Sequence, residues 1–355
     1  MSESWPVVYQ KAVQRDKMNV LYHLPILPPK IPAGEALSQE IQALRNGNGG
    51  DLVYVNPNQN SVIYIPRLLF GLSMLKALRD REKNFDLHHF YNPDPFPYPY
   101  LLGLRRPVIY TISSGISARH IHLRYFNRLA AVAVYDERSQ QRLVQAGLRN
   151  VHLIRPGIDI SRFTCTPLPL GRELRLLVAS APWTRAQFRT KGIDALLKAA
   201  QQDPHLHFIF LWRGILIEEM ERRIHGLDLE SQITLINSFV NVNQILAGVH
   251  ATITLATNAA LIKAYPHSLL DSLAAGKPVL VNRAIPMADY VEQKCCGVVL
   301  DKVAAESILE AIVTLSENYA KLTTEAAAVG QRDFAQANLL QVYEQIYQHT
   351  RRTLV

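Results

Sequence analysis

The sequence predicts an α/β protein with two doubly wound domains that face a central cleft, and three observations support this prediction. Short apolar runs alternate with amphipathic stretches along the whole chain, as in βαβ units around parallel sheets. Residues 155–171 are rich in proline, glycine and polar residues without a period, as linkers are. At 355 residues, the chain is long enough for two domains of ordinary size. We therefore expect domains over residues 1–165 and 166–332, with a ligand in the cleft between them.

The first half contains six candidate strands with candidate helices between them. The strands are short apolar runs at 19–22, 52–55, 87–90, 108–112, 131–135 and 151–154. The helices are expected at 34–46, 67–82, 117–128 and 137–146. Asp136 and Ser139 offer N-cap chemistry for the last of these helices, and Gly147 suits its C-terminal end.

The second half begins again with a strand and ends in helices. Strands are expected at 174–179, 207–212, 233–236, 251–255 and 279–281, with a helix at 192–200 after the first of them. The last part of the chain is predicted to be helical over 303–318, 320–329 and 333–350. Phe334, Leu339, Tyr343 and Tyr347 fall on one stripe of the final helix, so we expect that stripe to be buried.

The most informative segment is residues 263–279. Tyr265 and Pro266 open a helix, because proline is tolerated in a first helical turn. Gly276 lies where a helix C-terminal glycine is expected, and an apolar run then indicates a buried parallel strand. This arrangement leaves Lys263, His267 and Ser268 at the positive end of a helix dipole, which suits an anionic ligand. The polar residues at 263–268 are therefore candidate binding residues.

The formal net charge of +8 lies entirely in the first half of the chain. Residues 1–165 carry 20 Lys and Arg against 12 Asp and Glu, whereas residues 166–355 carry 18 of each. A one-sided basic surface attracts anionic lipid headgroups, anionic glycans or nucleic acid, and the alternative is a solvated surface without a partner. No RNP-like strand, zinc finger or helix-turn-helix signature is present, so we expect no nucleic-acid partner.

The composition is that of a globular protein, with 48% hydrophobic residues. No apolar run approaches the ~18–20 residues of a membrane span, and the first residues lack the pattern of a signal peptide. The three cysteines form neither a disulfide framework nor a CxxC metal motif, which favours the reducing cytoplasm.

A cationic loop follows the first strand of the second half. It carries Arg185, Arg189 and Lys191 and ends at Gly192, where a helix begins. Lysine as a point charge and arginine as a bidentate clamp suit a diphosphate, and a solvated basic loop is the alternative. Arg213 and Gly214 end the next strand: the arginine is a third candidate phosphate contact, and the glycine permits close backbone approach.

Other chemistries fit the sequence less well. No HExxH, Walker lysine loop or GxGxxG motif is present after a strand. His88 and His89 are adjacent on a strand, so they point to opposite faces and cannot chelate one ion together. The sequence has no Asp-x-Asp motif that would indicate a metal-bound diphosphate. We therefore expect cationic side chains, without a metal, to neutralise the charge of the diphosphate.

These segments resemble retaining glycosyltransferases of the GT-B fold, in particular family 4, the glycosyl transferases group 1. That family has an acid, a turn, a helix with a second acid eight residues on, and Ala-x-Gly-x-Pro-Val. Asp271 stands at the second acid, and residues 274–279 match the last element. Residues 156–163 resemble the family's Asn-Gly-Val-Asp…Arg-Phe linker. The resemblance implies two Rossmann-like domains, with the last helix, 333–350, crossing back onto the first.

The resemblance also implies roles for individual residues. It implies that Lys191 and either Arg185 or Arg189 bind the donor diphosphate, and that Asp271 binds the ribose of the nucleotide. It places Ser113 and Ser114 near the donor sugar as hydrogen-bonding residues, and the loop of Ala33 and Gly34 near the diphosphate. The predicted donor-binding residues are Arg185, Arg189, Lys191, Arg213, Gly214, Tyr265, His267, Ser268, Leu269 and Asp271.

Lys263 departs from the family, because the first acid would stand at this position. It is a surface lysine in a shifted loop, a replacement in an enzyme that still works, or a residue that selects an acidic donor sugar. The predicted function is metal-independent, retaining transfer of a sugar from a UDP- or GDP-sugar to a glycan or lipid-linked acceptor. We expect it in the cytoplasm, with peripheral contact at the inner membrane face. The alternatives are a nucleotide-sugar-binding protein that has lost transfer and a sugar-nucleotide epimerase of the same fold.

Overall fold

The computed structural model of the chain describes residues 18–29, 36–59, 61–212 and 214–352. The predicted site residues Ala33, Gly34 and Arg213 lie outside these ranges. The described residues form two six-stranded parallel sheets with helices packed against them, which confirms the predicted α/β class. None of the described helices is long and apolar enough to cross a membrane.

The first sheet has the strand order β2-β1-β3-β4-β5-β6, and every neighbouring pair is parallel. Its strands are β1 (Val20–Leu24), β2 (Gly50–Tyr54), β3 (Leu87–Asn92), β4 (Val108–Ile112), β5 (Ala131–Val134) and β6 (Val151–Leu153). The helices of this part are α1 (Ala36–Asn48), α2 (Leu75–Arg81), α3 (Leu123–Phe126) and α4 (Glu137–Gln145). Every residue of β3 and β4 is buried, as expected for strands covered on both faces.

The second sheet has the order β12-β11-β10-β7-β8-β9 and is also parallel throughout. Its strands are β7 (Leu174–Val178), β8 (Leu206–Leu211), β9 (Ile233–Ile236), β10 (Ala251–Thr254), β11 (Val279–Asn282) and β12 (Gly297–Leu300). The helices are α5 (Ala186–Thr190), α6 (Ile193–Gln202), α7 (Ile217–His225), α8 (Val242–Ala247), α9 (His267–Ala274), α10 (Met287–Lys294), α11 (Ala305–Glu317), α12 (Tyr319–Asp333) and α13 (Gln336–Arg352).

Three elements differ from the sequence-based prediction, and the backbone gives the reason for two of them. The helix predicted at 67–82 is reduced to α2, because Gly71 has a φ of +77° and no helix passes through it. The helix predicted at 117–128 is reduced to α3, and Ser117 has a φ of 52°. Strand β12 was not predicted; it begins at Gly297, three residues after α10 ends at Lys294.

The predicted capping residues are confirmed. The Asp136 carboxylate accepts a hydrogen bond of 2.8 Å from the Ser139 amide at the start of α4. Gly147 and Gly276 have φ values of +98° and +70°, the left-handed conformation that glycine adopts after a helix.

The last helix, α13, packs against the first sheet after the chain has completed the second. The Tyr347 hydroxyl lies 2.6 Å from His89 Nδ1, and the Tyr343 hydroxyl lies 2.8 Å from Thr111 Oγ1. His88, the neighbour of His89, contacts Glu82 from the other face of the sheet. The two adjacent histidines therefore point to opposite faces, as predicted.

The two sheets are joined at several points along a continuous core. Ser114 and Lys263 form an antiparallel bridge, and the Ala264 amide donates to the Ser113 carbonyl at 2.9 Å. Arg138 of α4 forms a bidentate ion pair with Asp289 of α10. One cluster of buried apolar residues includes members of both sheets. The carboxyl ends of the second sheet's strands consequently open toward α1 of the first half.

Candidate functional site

A cavity of about 250 Å³ lies outside the carboxyl ends of the second sheet's strands, where parallel α/β sheets characteristically bind ligands. Loops after β7, β9 and β10 supply most of its wall, and α1 and the linker close it from the other side. Its lining residues are Gln39, Arg162, Leu177, Ala179, Ser180, Leu211, Ser238, Phe239, Val240, Val242, Ile262, Lys263, Pro266, His267, Ser268 and Asp271.

The N-terminus of α9 forms one wall of the cavity. Pro266 is the N-cap residue and has an extended conformation, so the helix begins at His267. His267, Ser268 and Asp271 share the face that lines the cavity, because residues three and four apart are neighbours on a helix. The opposite face carries fully buried leucines, which fix the orientation of the helix. A helix N-terminus so placed favours an anion.

A buried carboxylate lies behind this wall. Glu40 of α1 is 1% exposed, and its Oε2 lies 3.9 Å from His267 Nε2. Its other oxygen accepts a hydrogen bond from the Tyr135 hydroxyl. Burial raises the pKa of Glu40, and the charge of Lys263 opposes this increase only in part.

His267 is a neutral imidazole in this arrangement. Burial, with a smaller contribution from the positive charge of Lys263, holds the pKa of His267 well below its ordinary value. Neither ring nitrogen has a hydrogen-bond partner among the described residues. A neutral imidazole offers one donor and one acceptor, so His267 can hydrogen-bond a polar ligand in the cavity.

Lys263 is half-buried and lines the cavity, so it is not a surface lysine. Its backbone is fixed by the bridge to Ser114. Ser113 and Ser114 are both 4% exposed and lie directly beside it, where they hold the two halves of the chain together. The structure therefore brings Lys263, His267, Ser268 and Asp271 into one cavity and places both serines next to it.

The cationic loop meets this site only at its edge. The Lys191 ammonium donates a hydrogen bond of 2.9 Å to the Ala181 carbonyl, and burial lowers the pKa of Lys191. Arg185 and Arg189 are exposed and do not line the cavity. Gly214 packs against the same loop, because a β-carbon there would stand 3.0 Å from that of Ala181. Lys191 and Gly214 thus position the loop that supplies Ser180 to the wall.

Two further predicted donor-binding side chains do not line the cavity. Tyr265 is completely buried, accepts a hydrogen bond of 2.5 Å from Arg155 and packs against Tyr290 and Phe334. Leu269 is completely buried on the core face of α9. Helical periodicity turns the Leu269 side chain to the core, and Arg155 holds the Tyr265 side chain away from the cavity. The role of these two residues in donor binding stays a prediction.

Several lining residues were not found from the sequence. Phe239 is an aromatic residue, 59% exposed, in the loop after β9, and Val240 lies beside it. Gln39 and Arg162 reach the same cavity from α1 and from the linker. An exposed aromatic residue in a loop after a strand was the one sequence signal that could have indicated Phe239. No group of three or more His, Cys, Asp or Glu among the described residues could hold a metal ion.

Comparisons with known proteins agree with this architecture. Residues 185–331 match the family described as glycosyl transferases group 1. No curated protein matches the chain significantly.

Several solved structures share the fold. HepE from Anabaena, in complex with UDP, superimposes with a TM-score of 0.72 at 17% identity over 94% of this chain and 100% of that chain. A glycosyltransferase from Rickettsia africae superimposes with a TM-score of 0.73 at 13% identity over 94% of this chain and 98% of that chain. WaaG, a glycosyltransferase involved in lipopolysaccharide biosynthesis, superimposes with a TM-score of 0.64 at 14% identity over 92% of this chain and 99% of that chain. The resemblance expected from the sequence is confirmed: the chain has the GT-B fold, and its residues 185–331 match the glycosyl transferases group 1 family.

Proposed function

We propose that the chain transfers a sugar from a nucleotide diphosphate sugar to a glycan or lipid-linked acceptor, with retention of the anomeric configuration. The observation that carries this proposal is the cavity between the two sheets. It combines a helix N-terminus, a lysine, an aspartate and an exposed aromatic side chain. The family match and the HepE complexes with UDP and with UDP-glucose support a nucleotide-sugar donor.

Each part of a nucleotide sugar has a matching group in this cavity. Asp271 offers two acceptor oxygens to the ribose diol. Phe239 offers an aromatic face to the base. Lys263, Arg162 and the first turn of α9 surround the remaining space with positive charge, which suits the diphosphate. In this proposal Lys263 and Arg162 make the direct charge contacts, and Lys191 keeps the neighbouring loop in place.

The proposed chemistry depends on stabilising the leaving group. The bond between the anomeric carbon and the diphosphate oxygen breaks, and the acceptor hydroxyl oxygen bonds to that carbon on the same face. The acceptor proton passes to the departing diphosphate. Positive groups aimed at the developing charge lower the barrier, and they do so without a metal or a protein nucleophile. His267 is placed to orient the sugar through hydrogen bonds.

The basic first half of the chain is proposed to receive the acceptor. Its excess of eight positive charges, 20 Lys and Arg against 12 Asp and Glu over residues 1–165, attracts anionic glycans and the headgroups of a membrane. We place this activity at the cytoplasmic face of a membrane, reached by peripheral contact.

The test is a product analysis with UDP- and GDP-sugars in the presence of EDTA, followed by NMR of the anomeric proton. Release of free nucleotide with an α-linked product from an α-linked donor would support retaining transfer. Binding without release of nucleotide would indicate a protein that has lost transfer, an alternative that Lys263 in place of the family's acid favours. Conversion of the sugar while it is still attached to the nucleotide would indicate an epimerase.

A further inference from the structure

We infer that the first half of the chain docks on an anionic lipid membrane through an exposed apolar segment and an adjacent row of cations. The apolar segment consists of Val62, Ile63, Tyr64, Leu68, Leu69 and Leu72, and the basic row of Lys76, Arg79, Arg105 and Arg106. The inference deepens the proposed function, because it identifies the surface through which a lipid-linked acceptor is reached. The docking itself does not depend on any transfer activity.

The apolar segment is unusually exposed. Val62, Ile63 and Tyr64 are 103%, 74% and 80% exposed, and the three leucines are between 40% and 50% exposed. These six large apolar side chains occur within eleven residues. The other exposed large apolar residues of the described ranges are scattered singly along the chain, as on an ordinary surface. Concentrated apolar exposure of this kind marks an interaction site.

The segment is held firmly in this exposed position. Arg67, in its middle, forms an ion pair of 2.6 Å with Asp94 and donates to the Tyr98 hydroxyl at 2.6 Å. The Asn58 side chain exchanges two hydrogen bonds, of 2.7 and 3.1 Å, with the backbone of Ile65. Its apolar side chains therefore face outward because the backbone is anchored.

The anchors also show where the segment lies. Arg67 donates to the Asn92 side chain at 2.9 Å, and Asn92 is the last residue of β3. The carboxyl ends of the first sheet are the edge from which Ser113 and Ser114, after β4, bridge to Lys263. The apolar segment thus lies near the edge of the first sheet that faces the cleft, and the proposed membrane surface extends from it along α2.

The basic row runs along α2 toward the opposite edge of the first sheet, because Arg105 and Arg106 lie just before β4. Arg79 donates a hydrogen bond of 2.7 Å to the Gly103 carbonyl, which joins α2 to the loop that carries Arg105 and Arg106. Lys76, Arg79 and Arg105 are exposed and form no ion pair within the part of the chain that the structure describes. Beside this loop lies a cavity of about 420 Å³, lined by leucines and by Arg105, Arg106 and Arg128. Its arginines suit a headgroup phosphate, and it lies at the amino ends of β4 and β5, on the side of the first sheet away from the cleft.

A lipid surface fits both features at once. Apolar and tyrosine side chains enter the boundary between headgroups and acyl chains, and nearby cations attract anionic headgroups. A nucleic acid would match the cations but would leave Val62 and Ile63 in water. A second copy of the chain would cover the apolar segment but would bring two basic rows together, and like charges repel.

The experiment is flotation of the full chain with vesicles of 30% phosphatidylglycerol in phosphatidylcholine, compared with pure phosphatidylcholine. We expect binding to the anionic vesicles that salt weakens. V62S/I63S/Y64S should abolish binding, and K76Q/R105Q should lower the partition coefficient by about 10-fold or more, since each cation near the surface contributes substantially.

Matched controls have the same changes elsewhere. V144S/V313S removes exposed apolar side chains, and R172Q/K302Q removes two exposed cations from the second half. Both should bind as the unchanged chain does, and thermal unfolding should show that all variants fold. The inference is overturned if the chain does not float with anionic vesicles, if the controls lose binding equally, or if V62S/I63S/Y64S converts a dimer to a monomer in sedimentation. Because no nucleotide is present, failure here is distinct from failure of the proposed transfer.

Discussion

Gly330 of α12 provides a sharp test of how the donor-binding helix is supported. A β-carbon at this position would stand 2.1 Å from the carbonyl oxygen of Leu273 and 2.6 Å from the amide nitrogen of Ala274, both in α9. Carbon and oxygen ordinarily approach to about 3.3 Å. Gly330→Ala therefore requires α12 and α9 to separate by about 1 Å, because backbone atoms cannot rotate out of the way.

Two opposing effects set the size of the change. Overpacking of this kind costs about 1–3 kcal/mol, whereas alanine is favoured over glycine within a helix by about 1 kcal/mol. The difference between these two terms is about 0–2 kcal/mol. We expect a net loss in the upper half of this range, about 1–2 kcal/mol, since the obstacle at Gly330 is backbone. A loss of this size lowers Tm by about 2–8 °C in a domain of this length. Because α9 carries His267 and Asp271 into the cavity, nucleotide affinity should fall as well.

The assay is thermal unfolding of Gly330→Ala beside a matched control, Gly171→Ala. A β-carbon at Gly171 would meet no atom within 4 Å, and the backbone there is not left-handed. The control should be unchanged or slightly more stable, since alanine restricts the unfolded chain. Equal Tm values for the two variants would refute the close packing of α12 on α9.

Four further predictions follow from the same structure. Lys263→Glu should weaken nucleotide-sugar binding about 10-fold or more, since it replaces a cation by an anion in the cavity. If Lys263 selects acidic sugars, the substitution should reduce the affinity for a uronate donor more than the affinity for its neutral parent. Equal reductions in the two affinities would exclude that selection. Phe239→Ala should weaken nucleotide binding by about 0.5–1.5 kcal/mol in a calorimetric titration. Unchanged affinity would show that the nucleotide base does not stack on Phe239. Tyr347→Phe should cost about 1–3 kcal/mol in urea unfolding, because it leaves the buried Nδ1 of His89 without a partner, whereas Tyr64→Phe on the surface should change nothing. Glu40 has a pKa in the folded state above its ordinary value of 4.5, so its contribution to stability becomes less favourable as the pH rises above its pKa in the unfolded chain. The stability of Glu40→Gln relative to the unchanged chain should therefore rise with pH. Parallel pH profiles of stability for the two proteins would contradict this.

The fold could be predicted from the sequence wherever periodicity decides structure. Fully buried parallel strands such as β4 appear as continuous apolar runs, and Asp136 and Gly147 mark the ends of α4. Prediction failed where a single backbone conformation decides. Gly71 interrupts the expected helix at 67–82 through its positive φ, which the composition of that segment does not reveal.

The site was only partly visible in the sequence for a related reason. Lys263, His267 and Asp271 lie within nine residues on one loop and helix, so their pattern could be recognised. Phe239 and Glu40 come from distant parts of the chain, and only the packing of the two halves places them at the cavity. The orientation of a side chain such as Tyr265 depends on its hydrogen bond with Arg155, which no local pattern shows.

Thermal unfolding with UDP, GDP and ADP and their common sugars, in EDTA, tests the central claim most directly. A nucleotide at about 100 times its Kd stabilises the folded state by about 2.7 kcal/mol, which corresponds to a rise in Tm of about 5–10 °C. We predict such a rise for one nucleotide family, its strong reduction in Asp271→Ala, and its retention in the surface control Asp80→Ala. The absence of any shift with all nucleotides, or equal shifts in the two variants, would contradict a nucleotide-sugar site in this cavity.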